Sequence, residues 1–152
     1  MLTYQKEPGV VFIKDKDIKE MFKKHSEESS EHLDKIPLNP NYKQYLKLEM
    51  LNRAEVHTIR DDGKLVGYSM WILGQHIHYK KSITATSTLI YILPEYRKGL
   101  NAYTFIKWSI DKIKERKPQR ILLSVKPSND YGRLLERLGA GYFEKIYSIV
   151  LE

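Results

Sequence analysis

The chain has 152 residues, the size of one ordinary domain, and 41% of them are apolar, enough for one core and too many for a disordered chain. Cysteine is absent, which excludes disulfide frameworks, thiolate zinc sites and a cysteine nucleophile together. The formal charge of +7 favours anionic partners such as a polyphosphate cofactor, nucleic acid or an acidic protein, although the lysines are dispersed and form no single tract.

In chain order, Met1 to Gly9 lacks the apolar run of a secretion signal, and no stretch approaches a membrane span. The expectation is a cytoplasmic, metal-independent single domain over 1–152. Val10 to Ile13 reads as a short strand. Asp15 or Asp17 caps a helix with Ile18, Met21, Phe22 and His25 on one face. Asn41 caps a second helix through Leu51. Ala54 to Arg60 alternates as a strand, Asp62-Gly63 marks a tight hairpin, and Lys64 to Leu73 returns. Gly74 to Lys81 is a loop, and Ser82 to Leu93, rich in Thr, Ile and Tyr, is a long strand stopped by Pro94. A helix spans about Leu100 to Arg116 and ends at Lys117-Pro118. Ile121 to Val125 is a buried strand, Asp130 to Leu138 a short helix closed at Gly139, and Tyr142 to Leu151 a last strand. The order β-α-α-β-β-β-α-β-α-β predicts a mixed sheet covered by helices, an α/β or α+β layer fold.

The joint from Tyr91 to Ala102 carries the strongest chemical signal. A helix beginning there offers free N–H groups and the positive end of its dipole, which suit phosphate oxygens. Arg97 and Lys98 add charge, and Gly99 and Ala102 allow close approach.

Leu93-Pro94-Glu95-Tyr96-Arg97 before a Gly- and Ala-bearing helix start resembles the acetyl-CoA loop of the GNAT superfamily of N-acetyltransferases, whose usual form is Arg/Gln-x-x-Gly-x-Gly/Ala. Arg97 and Ala102 fill the first and last places; Leu100 stands at the middle glycine, and Gly99 is one residue early. Ser128-Asn129-Asp130 followed by Leu134 to Gly139 resembles a second GNAT segment. Together with His76 to Tyr79, these motifs are most similar to small acetyltransferase-like proteins of bacteriophages, which would place the chain in a host cytoplasm.

The resemblance implies a mixed, mostly antiparallel sheet of six to seven strands with about four helices, whose fourth and fifth strands splay. It implies that the gap takes the pantetheine of acetyl-CoA against Tyr91, Ile92 and Leu93. Arg97, Lys98, Gly99, Leu100, Asn101 and Ala102 would hold the pyrophosphate, and Asn129 would face the cofactor. The implied reaction is direct attack by a primary amine, small-molecule or protein-borne, in a ternary complex.

The catalytic pattern departs from the family's. Leu135 stands where a tyrosine acid is usual, and Thr86, Ser87 and Thr88 where an acidic residue is usual. Tyr131, one turn before Leu135, is the substitute acid if the helix is rotated, and otherwise a surface or capping residue. His76 and His78, with Tyr79 beside them, are candidate bases or simply loop histidines; a third metal ligand is lacking. Glu49 is an acceptor-site group or a solvated helix carboxylate. The cluster Lys112, Lys114, Arg116, Lys117 and Arg120 reads as favourable charge at a helix C-terminus. These departures keep a second reading open: a non-catalytic GNAT-fold module for binding, virion association or host contact. Nucleic-acid binding ranks last for want of an aromatic-basic stacking motif. The acceptor and the oligomeric state, a dimer included, stay open.

Overall fold

The computed structural model describes residues 1–151. Five strands and five helices follow one another: β1 (Leu2–Glu7), α1 (Gly9–Ile13), α2 (Ile18–Ser29), α3 (Tyr42–Met50), β2 (Ala54–Asp61), β3 (Lys64–Gln75), β4 (Ile83–Ile92), a 3₁₀ turn (Pro94–Tyr96), α4 (Asn101–Lys114), β5 (Arg120–Leu123) and α5 (Gly132–Arg137). The strands lie in the sheet in chain order. β1 to β4 are antiparallel neighbours, and β5 runs parallel to β4. The α+β class is the one expected, but the strand count is five rather than six or seven, and the helix count five rather than about four. Among the described residues no helix is long and apolar enough to cross a membrane.

Successive side chains on a strand point to opposite faces, and β3 shows which helices each face holds. Tyr68 meets Phe12 of α1 and Phe22 of α2 edge to face, with centroids 5.4 Å and 5.3 Å away. The next residue, Ser69, meets Ser109 of α4, Oγ to Oγ at 2.7 Å. The sheet is therefore sandwiched between α1–α2 and α4. Ile106, Ile110 and Ile113 of α4 pack with Trp71, Ala85 and Leu135 of α5.

Local chemistry explains the element ends. Asn41 Oδ1 accepts the Gln44 N–H at 3.0 Å and caps α3 as expected. Asp62 and Gly63 both have positive φ, 46° and 88°, as the β2–β3 hairpin requires.

Two expected strands are not strands. Val10 to Ile13 lies in α1: the true first strand precedes it and Pro8 ends that strand. Glu49 Oε1 of α3 accepts the Gly9 N–H at 2.7 Å and caps the new turn, while Val10 and Val11 stay exposed and only Phe12 is buried. A cap from a distant helix overrides the β-branched pair. Tyr142 to Leu151 has strand-like composition but pairs with no strand, and Tyr142, Ile146, Tyr147 and Ile149 are exposed. Its contact beside β5 is through side chains, the Arg120 guanidinium lying 5.2 Å from the Phe143 ring centre. Composition supplies strand propensity, but only a neighbouring backbone makes a ladder.

Candidate functional site

β4 and β5 pair only from Thr84↔Arg120 to Ser87↔Leu123, yet β4 continues to Ile92. The pairing stops where β4 carries an extra residue. Trp71 of β3 faces Ser87 and Met70 faces Leu89, so Thr88 is a bulge, and its Oγ1 donates to Met70 O at 3.2 Å. Bulges bend and twist a strand, and here the bend coincides with the parting of β4 from β5.

Beyond the bulge one edge of β4 is open. Leu93 N–H donates to Val66 O on the β3 side, and a Cβ on Gly67 of β3 would stand 2.9 Å from Tyr91 O. By strand alternation the backbone groups of Ile90 and Ile92 point the other way, into the gap. Arg97 Nε takes Ile92 O at 2.7 Å. A cavity of about 210 Å³ fills the gap, lined by Ile90, Ile92, Ala102, Ile106, Asn129, Tyr131 and Leu134 among others.

The cavity leads to the start of α4. Gly99, with φ of 60°, adopts a left-handed conformation just before the helix. Leu100 at the N-cap supplies no side-chain acceptor, so the first-turn N–H groups keep their anion-binding capacity. Lys98 and Leu100 are exposed, and Asn101 Nδ2 is spent on Tyr96 O at 3.2 Å. The Arg97 side chain turns away from the helix end. Besides Ile92 O, it pairs with Glu28 Oε2 of α2 at 2.7 Å and lies 5.2 Å from the Tyr91 ring centre. Tyr91 Oη donates to the other Glu28 oxygen at 2.8 Å. Arg97 thus ties the loop to α2 and β4.

Tyr131 stands at the N-cap of α5 and donates to Ser124 O at 3.2 Å. Burial pushes its phenol up to about 12, so it keeps its proton near neutrality. Leu135, one turn on, is buried between α4 and the sheet. The helix therefore presents Tyr131, not residue 135, to the gap.

A second space of about 670 Å³ lies on the other side of the gap and shares Ile90, Asn129 and Tyr131 with the first. His25 of α2 borders it, with Nδ1 2.8 Å from Tyr68 Oη and its ring stacked on Tyr91 at 4.7 Å. Burial, only partly offset by Glu28, lowers the imidazole to about 4 and leaves it neutral. Sequence reasoning placed His25 on the apolar helix face without assigning it a role. Its one signal was being a titratable group on that face. Glu28, which holds Arg97 across a long sequence separation, left no local signal.

The remaining candidates lie elsewhere. His76, His78 and Tyr79 are exposed at the β3–β4 hairpin and contact one another, His76 Nδ1 accepting the His78 N–H at 3.2 Å. The strand from Ile83 to Ile90 separates them from the gap by roughly 20 Å at 3.3 Å per residue. Glu49 is occupied with the Gly9 N–H and borders neither space. Among the described residues no group of three His, Asp or Glu side chains could hold a metal.

Comparison with family models and with curated proteins finds no match. Among solved structures the chain is similar to a ribosomal-protein-alanine N-acetyltransferase from Brucella melitensis biovar Abortus 2308, with a TM-score of 0.70 and 18% identity over 100% of both chains. An aminoglycoside acetyltransferase from an uncultured soil metagenomic sample, solved with sisomicin, gives 0.71 and 13% over 99% of this chain and 97% of that one. A predicted acetyltransferase from Clostridium acetobutylicum, solved with acetyl-CoA, gives 0.65 and 14% over 99% and 96%. At these identities the likeness shows the fold, which is the one the sequence resemblance implied.

Proposed function

We propose that the protein is an acetyl-CoA-dependent N-acetyltransferase acting on a primary amine. The observation that carries this reading is the opening of β4 from β5 at the Thr88 bulge, which joins a backbone edge without a strand partner, an uncapped helix start and a protonated phenol in one cleft. The residues present fit a pantetheine and pyrophosphate. The backbone groups of Ile90 and the N–H of Ile92 face the gap, Ala102 leaves room at its end, and the first turn of α4 offers N–H donors to phosphate.

Acetyl-CoA supplies an activated acetyl thioester. Tyr131, bordering both spaces, would be the group suited to protonate the thiolate released when the C–S bond breaks, the amine nitrogen having bonded to the carbonyl carbon and given up its extra proton to solvent. Its phenol is in the acid form at neutral pH, as that role requires. Asn129 borders the same junction and can hydrogen-bond a ligand there. His76, His78 and Tyr79 have no part in this mechanism, because β4 separates them from the gap.

Calorimetric titration with acetyl-CoA tests the reading, and absence of binding at millimolar cofactor refutes it. The buried Leu135 in place of a tyrosine supports a second reading, a binding module without catalysis. Cofactor binding without CoA release across a broad amine panel would favour that one.

A further inference from the structure

We infer that the larger groove receives one primary amine borne on an uncharged, apolar body, with the amine hydrogen-bonded to His25. The inference rests on the acetyltransferase reading and names its acceptor class. The groove meets the cofactor gap at Ile90, Asn129 and Tyr131, so whatever lies in it reaches the site of transfer. Its volume, about 670 Å³, is in the range of small-molecule sites.

Charge decides what it holds. Among the described residues the lining has one carboxylate, Glu31, and one ammonium, Lys126. Apolar side chains, Leu33, Ile36 and Leu38 after α2 with Met70 and Leu89 of the sheet, line it together with uncharged polar ones such as Ser29 and Asn39. Ile36 and Leu38 are 61% and 49% exposed, apolar area that a bound apolar body would cover. A polycation needs several carboxylates to replace the water its ammonium groups lose. Here one carboxylate is balanced by one lysine, in a protein of net charge +7 that repels cations. A multiply anionic body meets the same shortage, with a single lysine to answer it.

His25 is a half-buried polar group at the border of this groove. Its ring is fixed by stacking on Tyr91, whose hydroxyl is held by Glu28, which in turn holds Arg97 of the cofactor loop. Nδ1 is engaged with Tyr68 Oη, and Nε2 has no protein partner among the described residues. In the tautomer donating from Nδ1, Nε2 presents a lone pair to an amine N–H. The neutrality of the ring keeps that lone pair available at physiological pH.

The test measures CoA release by the full chain at saturating acetyl-CoA, with phenethylamine, phenylalanine amide, spermidine and an aminoglycoside as acceptors. The expected result is a kcat/KM for phenethylamine or phenylalanine amide at least about tenfold above both polycations. The better of the two separates a free arylalkylamine from a peptide N-terminus as the source. His25→Phe, which keeps a ring on Tyr91, should raise the KM for the monoamine about tenfold and leave the KM for acetyl-CoA unchanged. Leu38→Asp, on an exposed rim position, should shift selectivity toward spermidine. Preference for a polycation, equal rates, no monoamine turnover despite acetyl-CoA binding, or an unmoved monoamine KM in His25→Phe would each overturn the inference. Failure to bind acetyl-CoA would instead remove the reading beneath it.

Discussion

Replacing Arg97 with alanine should loosen the cofactor loop from the rest of the domain. The side chain makes a charge-assisted bond to Ile92 O at 2.7 Å, of a kind that contributes about 1.5–3 kcal/mol. Its pair with Glu28 joins side chains 33% and 32% exposed, so solvent screening reduces it to about 0.5–1 kcal/mol. Its position over Tyr91 adds about 0.5–1 kcal/mol. These contributions overlap, and a net loss of about 2–4 kcal/mol is expected. For a domain of this size that is a fall in Tm of roughly 5–15 °C, read by a thermal melt. Glu28→Gln keeps an acceptor for Tyr91 Oη and should cost only about 1 kcal/mol. Arg97→Lys separates scaffolding from direct phosphate pairing, because lysine keeps the charge but cannot reproduce the fork. If Arg97 acts by holding the loop, lysine restores little of the acetyl-CoA affinity lost in the alanine variant. A Tm for Arg97→Ala within about 1 °C of the parent, or full rescue of affinity by lysine, would refute the argument.

Tyr131→Phe should lower kcat by about 10²–10⁴ with acetyl-CoA affinity nearly unchanged, since it removes one proton donor and one bond to Ser124 O; unaltered kcat in steady-state assays would remove Tyr131 from the chemistry. The double variant His76→Ala/His78→Ala should keep kcat/KM within about twofold, because these side chains are exposed roughly a strand length from the gap; a large loss would return the hairpin to the mechanism. Acid should destabilise the fold partly through Glu55. Burial opposes its charge, but His57 and Lys6 beside it prevail and hold the carboxyl at about 2, below the unfolded value near ~4.3. A depressed carboxylate stabilises the fold fully above its unfolded pKa, and that stability is lost as pH falls through about 2. Urea unfolding of Glu55→Gln should therefore show a shallower decline below pH ~4 than the parent; parallel declines would exclude Glu55 as a source.

Elements whose causes are local were legible in the sequence. The Asn41 cap, the Asp62-Gly63 hairpin, the long β4 and the apolar stripe of α4 all arise from residues within a few positions of one another. So did the strand-to-helix joint at Arg97 to Ala102, because an early glycine and an uncapped helix start are properties of one short segment. Tertiary structure decided the rest. Val10 to Ile13 became helix because Glu49 supplied a cap from α3, and Tyr142 to Leu151 formed no strand for want of a paired neighbour. The bulge at Thr88 depends on register against Met70 and Trp71, which no reading of β4 alone contains. Arg97 was legible as a basic residue at a phosphate-suited loop, but its side chain answers to Glu28 on α2, far away in sequence. Local sequence determines which residues can begin, turn or end an element; which side chains meet in the cleft depends on long-range packing, and that is recorded only in the folded chain.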